Sequence, residues 1–191
     1  MAICSSTCAP ALPASYSGGC GITSRPGGIK RLWFVKCDAE DWDFTDDAEW
    51  ETAQTSVPPV VVGSGLIMGQ KAKGSFTKKR IASCMPEGIV GAEKQITFSD
   101  YNTDTVTSPG PGCLAYTFWN TILTNSSNYK LIYETCDGYV VGPISDFILE
   151  IDEVIEDNNT GSTYFDGTIT WNDIEMTCPA YVVGGNGVTP A

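Results

Sequence analysis

The chain contains no histidine. That removes the side chain most often used as a general base near neutral pH, and the commonest nitrogen ligand of zinc, copper and iron. Basic residues are few and unevenly spread: after Lys94 only Lys130 remains, while acids continue from Asp100 through Asp152, Glu153, Glu156 and Asp157 to Glu175. A segment so composed presents negative potential to its surroundings, so it repels a phosphate backbone and does not grip one. No CxxC occurs among the eight cysteines, which excludes a zinc knuckle or a thioredoxin-type motif. No apolar run approaches the length of a membrane span, and residues 1–18 lack both the basic n-region and the apolar core of a signal peptide. With no constellation of nucleophile, base and orienting group in the sequence, the expectation is a protein that is not an enzyme and binds neither metal nor cofactor.

What is present describes a folding chain. Its 191 residues suffice for one domain with a real core, and 42% hydrophobic against 18% charged residues separate it from acidic disordered sequences. A net charge of −12 favours solubility and mutual repulsion of monomers at low salt. In the absence of a leader, the cysteines read mainly as free thiols acting as small buried hydrophobes, in a protein made in reducing cytosol.

Residues 1–28, rich in Ser, Gly, Pro and Cys, read as an N-terminal arm. The first core strand is expected over 29–37, IKRLWFVKC. Residues 38–52, DAEDWDFTDDAEWET, set Trp42, Phe44 and Trp50 among carboxylates. Such a stretch is a surface loop or short helix tucking its aromatics inward, or an interaction loop docking them on a neighbouring subunit, where aromatic residues concentrate binding energy. After Pro58 and Pro59, β-branched residues broken by glycines suit bent strands carrying Lys71, Lys73, Lys78, Lys79 and Arg80. Only Phe76 interleaves these cations, so they read as a surface that meets acidic protein, within the subunit or on the next copy, or as lysines guarding an edge strand.

Residues 93–99 alternate, with Ile96 and Phe98 on one face, and 102–112 form a loop. One amphipathic helix is predicted at about 113–125, with Leu114, Phe118 and Ile122 beside Ala115, Trp119 and Leu123 as an apolar stripe. Asp137 and Gly138 favour a type I′ hairpin between 130–136 and 139–141. In 147–156, FILEIDEVIE, Leu149 and Ile151 alternate with Glu150 and Asp152, placing Glu150, Asp152 and Glu156 on an acidic face; the pattern slips at Glu153, which a bulge could absorb. Residues 157–161 turn the chain into a partner strand at 162–172. ITFSDY at 96–101 echoes ITWNDI at 169–174, which suggests two strands ending in similar surroundings, each with an inward aromatic. Residues 173–191 read as a C-terminal arm.

The pattern is mainly β: an antiparallel β-sandwich or barrel over 29–172, one helix covering its core, and extended terminal arms. Arms and long loops around a rigid β-body suit subunits that clasp copies of themselves. In strand order, in the single helix between the two halves and in the long hairpins of 147–171, the chain resembles the tail tube, or major tail, proteins of tailed bacteriophages. The resemblance implies a homo-oligomer of stacked rings, located in the virion after synthesis in the host cytoplasm, with other virion proteins as partners and no membrane. It implies a hollow tube that DNA passes without specific binding, and a wall of carboxylates would serve that passage. Trp42, Phe44, Trp50, Lys71, Lys78, Lys79 and Arg80 are the candidate subunit contacts; Glu150, Asp152 and Glu156 are the candidate acidic face. A capsid decoration or head-to-tail connector subunit, a secreted disulfide-stapled binding module, and a glycosidase using acids among residues 38–51 remain alternatives.

Overall fold

The computed structural model describes residues 27–39, 43, 46–80, 87–103, 113–157, 161–174 and 180–181. Ten strands form one antiparallel sheet: β1 (Ile29–Lys36), β2 (Val61–Gly63), β3 (Met68–Lys71), β4 (Ser75–Lys79), β5 (Gly88–Asp100), β6 (Tyr129–Thr135), β7 (Tyr139–Ile144), β8 (Ile148–Ile155), β9 (Thr163–Asn172) and β10 (Ala180–Tyr181). Their order is β10-β7-β6-β1-β3-β5-β9-β8, with β2 also on β1 and β4 also on β5. β1 and β3 meet only at Ile29 and Gly69, whereas β5 pairs with β9 without interruption from Glu93↔Asn172 to Asp100↔Phe165. The segment between β2 and β3 also bonds to β1, the Ser64 amide donating to the Leu32 carbonyl at 2.8 Å and the Ile67 amide to the Lys30 carbonyl at 2.9 Å, so the two parts of the sheet are joined along β1.

Alternation along the strands sends one side-chain set to a shared interior. Leu32 and Phe34 of β1, Ile96 and Phe98 of β5, Leu131 and Tyr133 of β6, Leu149 of β8 and Ile169 and Trp171 of β9 belong to a single buried cluster. Phe34 of β1 also lies 6.0 Å, centroid to centroid, from Phe147, just before β8. The echo between 96–101 and 169–174 has a direct cause: Ile96 and Ile169 are register partners on adjacent strands, and Phe98 and Trp171 are both buried in that cluster.

The cluster is closed by α2 (Leu114–Thr124). Trp119 and Ile122 are buried, with Ala115, Tyr116 and Phe118 packed beside them, whereas Leu114 and Leu123, expected on the stripe, are exposed at its flanks. Trp119 stacks on Phe98 at 5.1 Å and meets Phe118 edge-on at 5.0 Å. A second helix, α1 (Asp47–Thr55), covers the other side of the sheet; it is the short helix among the alternatives for 38–52, and it adds to the helix predicted at 113–125. Asp46 caps it, Oδ1 accepting from the amides of Ala48 at 2.8 Å and Glu49 at 3.3 Å, and Asp47 and Glu49 lie at the positive end of its dipole. The acids of residues 46–49 thus start a helix. Its Trp50 and Ala53 pack on Trp33, Val35, Val61, Ile132 and Val140.

Three further expectations change. No bulge occurs in β8: the register runs unbroken from Ile148↔Thr170 to Ile155↔Thr163. Glu153 keeps its place in the alternation because the Tyr116 hydroxyl on α2 donates to its carboxylate. At the β6–β7 turn Gly138 takes φ +87 while Asp137 keeps a negative φ, so the turn is not type I′, which needs both positive. Part of the expected C-terminal arm is sheet, since β10 pairs with β7 through Ala180↔Val140 and Tyr181↔Tyr139. The expected N-terminal arm and the rest of the C-terminal one lie almost wholly outside the described residues.

Two cross-strand pairs place an aromatic ring over a glycine: Trp33 over Gly63 and Phe98 over Gly167. A Cβ at Gly167 would lie 2.3 Å from the Phe98 ring. Gly167→Ala must displace Phe98 from its stack on Trp119 and should cost about 1–3 kcal/mol, read as a lower midpoint in urea unfolding; an unchanged midpoint would show that Phe98 is not held there.

Candidate assembly surfaces

The cationic and acidic residues separate onto two different edges. β4 and the first part of β5 form a two-stranded ribbon, paired from Ser75↔Glu93 to Lys79↔Gly88 with a register shift between Thr77 and Lys78. β9 ends its pairing at Glu93 and the Asp173 amide still donates to the Ala92 carbonyl, so among the described residues 88–91 have β4 as their only strand partner and the ribbon extends beyond the body there. Every residue of β4 is exposed. The ribbon carries Phe76, Ile89 and Val90, all exposed, together with Lys78, Lys79 and Arg80. Exposed apolar side chains on a projecting ribbon are the usual mark of a surface that meets another protein.

The opposite character belongs to β8, which among the described residues ends the sheet and has β9 as its one strand partner. Its other edge is flanked by Ile148, 62% exposed, and Ile155, 72% exposed. Glu150 and Asp152 are exposed and alternate with Leu149 and Ile151, as the sequence pattern requires, and Glu156 follows the strand with its carboxylate accepting from the Ser162 amide at 3.0 Å. The same outward rows continue across β9 and β5. Asp152 faces Asp166, which neighbours Ser99, and Glu150 faces Thr168, which neighbours Thr97. Like charges directly opposite on a sheet destabilise it, so the Asp152 and Asp166 pair has a cost that packing does not repay. Asp166 carries part of this face and was missed in the sequence because its strand is mostly Thr, Gly and aromatics. The phenol of Tyr164, stacked at 4.9 Å on Tyr101, has its pKa raised by desolvation and then by Glu156, Tyr101 and Asp166.

The structure divides the expected contact residues. Lys78, Lys79 and Arg80 share the ribbon. Trp50 does not belong with them: it is 0% exposed and meets Trp33 edge-on at 5.1 Å inside its own chain, because α1 turns its apolar side to the sheet. Trp42 and Phe44 lie outside the described residues. Lys71 is also committed within the chain, its Nζ donating to Tyr133 Oη at 3.1 Å and lying 5.3 Å from the ring centroids of both Tyr133 and Trp171. Desolvation there lowers its pKa, and Asp173 partly opposes the shift. Asp173 is itself ion-paired to Lys94 at 2.9 Å.

The three described cysteines, Cys37, Cys113 and Cys136, are free thiols; Cys37 and Cys136 are exposed and Cys113 half-buried, so none of these acts as a buried hydrophobe. Among the described residues no helix is long and apolar enough to cross a membrane. No known family model matches the chain, and a search of the curated proteins finds no relative.

Burial raises the Tyr133 pKa above its ordinary 10.0, against the opposing field of Lys94. A raised folded-state value means that the unfolded chain loses this proton first, so the contribution to stability is complete below pH 10.0 and is lost as pH rises through the folded value. Tyr133→Phe should therefore lose less stability than the parent between about pH 9 and 11 in urea unfolding; parallel losses would place the phenol in water.

Proposed function

We propose that this chain is a self-assembling structural subunit of a virion, of the tail tube kind, whose copies join into rings that stack around an acidic, DNA-conducting lumen. The observation that carries this reading is the coexistence in one chain of a basic, apolar ribbon and an acidic strand, β8, whose outer edge has no strand partner among the described residues. A second copy that lays its ribbon along β8 satisfies both. Main-chain hydrogen bonds would extend the sheet, as in strand addition. Lys78, Lys79 and Arg80 would come against Glu150, Asp152 and Glu156, which steers encounter and fixes register. Phe76, Ile89 and Val90 would leave water together with Ile148 and Ile155, at about 25 cal/mol for each Å² of apolar surface covered.

The two surfaces are different, so the contact is heterologous: each copy gives one and receives one. Such a contact propagates until rotation closes a ring or continues it as a filament. It also removes the sheet edge that an isolated monomer would otherwise leave open. Each copy keeps its net charge of −12, so an assembled wall stays negative after these pairs form. DNA moves along such a wall without the phosphate contacts that would hold it.

Negative-stain microscopy and sedimentation velocity test the reading directly. Rings or tubes are expected from the unmodified protein, dispersing when salt is raised because the attraction is screened over about 10 Å at 0.1 M. Lys78→Glu with Lys79→Glu should abolish them, and so should Glu150→Lys with Asp152→Lys. Mixing the two variants should restore assembly with the two alternating, because each ribbon then meets a β8 of opposite charge. A monomer that persists at high concentration, or assembly indifferent to both pairs of substitutions, rejects the proposal.

A further inference from the structure

Where β5 ends, the chain opens a cleft of about 690 Å³ between the loop after β2 and the start of α2. Its walls are aromatic and apolar, from Tyr101, Leu114, Phe118 and Trp119, and Asp100 is among its lining residues. Asp100 is 2% exposed. It accepts from the indole N–H of Trp119 at 2.8 Å through Oδ2, and from the Asn102 backbone amide at 2.9 Å and the Asn102 side-chain amide through Oδ1. All three donors are neutral. Buried carboxylates are ordinarily paired with a cation or a metal, and among the described residues no Lys or Arg forms an ion pair with this one. Arg25 is the one Lys or Arg side chain of the sequence that the described residues do not include.

We propose that this cleft binds an alkylammonium group, its charge directed to Asp100 and its carbon chain laid against Tyr101, Phe118 and Leu114. Three features favour a cation over other small molecules. The carboxylate repels anions from a low-dielectric floor. Ring faces attract an ammonium through their quadrupole, most strongly where water is excluded. The apolar rim, with Tyr101 50% and Leu114 57% exposed, offers a place for methylene groups that a bare metal ion would leave unfilled. The carbonyl of Leu66 already holds Asn102 at 2.9 Å through the side-chain amide. That bond keeps the donors on Asp100 in place before any ligand arrives, so the site pays little to organise. The proposal stands independently of assembly, because every residue it uses belongs to one copy.

The test is a titration of the isotopically labelled full chain with n-butylammonium, at a dilution where it sediments as a monomer, following the Trp119 indole N–H and the Asn102 side-chain amide. Both should shift saturably, and n-butanol, the neutral counterpart of equal length, should bind at least about tenfold more weakly. Tyr101→Ala, at the exposed rim, should weaken the ammonium several-fold without threatening the fold. Asp100→Asn should remove the preference for ammonium over alcohol, and because that variant risks misfolding, the Tyr101 comparison is read as well. Equal binding of n-butanol, shifts that never saturate, or an unaltered affinity in Tyr101→Ala overturns the proposal. So does an Arg25→Gln variant that moves the Trp119 resonance with no ligand added, since the chain's own guanidinium would then occupy the cleft.

Discussion

The indole of Trp119 is where helix, sheet and buried charge meet. Its ring stacks on Phe98 of β5, meets Phe34 of β1 edge-on at 6.2 Å, and leans on Phe118 of its own helix, while its N–H goes to Asp100 at the end of β5. Strands from both halves of the sheet are thereby tied to one side chain. β1 and β3 share a single register pair, the Ser64 and Ile67 amides add backbone bonds to β1, and the aromatic cluster under α2 ties the same strands together through side chains. Removing a buried Trp from such a position costs about 3–5 kcal/mol, a large part of a domain's whole margin of stability.

The other face obeys a different constraint. α1 covers only the part of the sheet built from β1, β2, β6 and β7, through Trp50 and Ala53. Among the described residues no helix covers the outward rows of β8, β9 and β5, which carry Glu150, Asp152, Asp166, Ser99 and threonines instead. Within the covered part, Glu134 is fully buried, and is tolerated because Lys30 reaches it at 2.8 Å and Trp33 donates to it at 3.3 Å. The contrast with Asp100 is chemical: one buried carboxylate has a cation of its own chain, and the other has only neutral donors.

Several elements were legible because local pattern and tertiary demand agree. The stripe of residues 113–125 and the alternation in 147–156 each survive almost to the residue as α2 and β8. α1 was read as loop or short helix because its charges hide a narrow apolar face, Trp50 and Ala53, too small to stand out among acids. The apparent slip at Glu153 misled for a related reason: a charged residue on the inward-facing side looks like a change of phase until the Tyr116 hydroxyl that receives it is known. Lys71 looked like its neighbours in a basic run, yet β3 is paired against the body of β5 while β4 runs out with the ribbon. A difference of a few residues in sequence separates a cation bound over rings from one held out in water.

By itself the sequence determined the antiparallel, mainly β character of the chain, the place of its principal helix, and the excess of negative charge, because each follows from periodicity or from counting. Only the tertiary structure decided which charges stand together. Asp152 and Asp166 become neighbours through strand pairing, Trp50 is withdrawn because a helix turns it inward, and Asp100 is buried at the end of β5 with the Trp119 indole of α2 as a donor and no ion pair among the described residues. Those outcomes depend on contacts between residues far apart in the chain, and no local pattern encodes a distance across a fold.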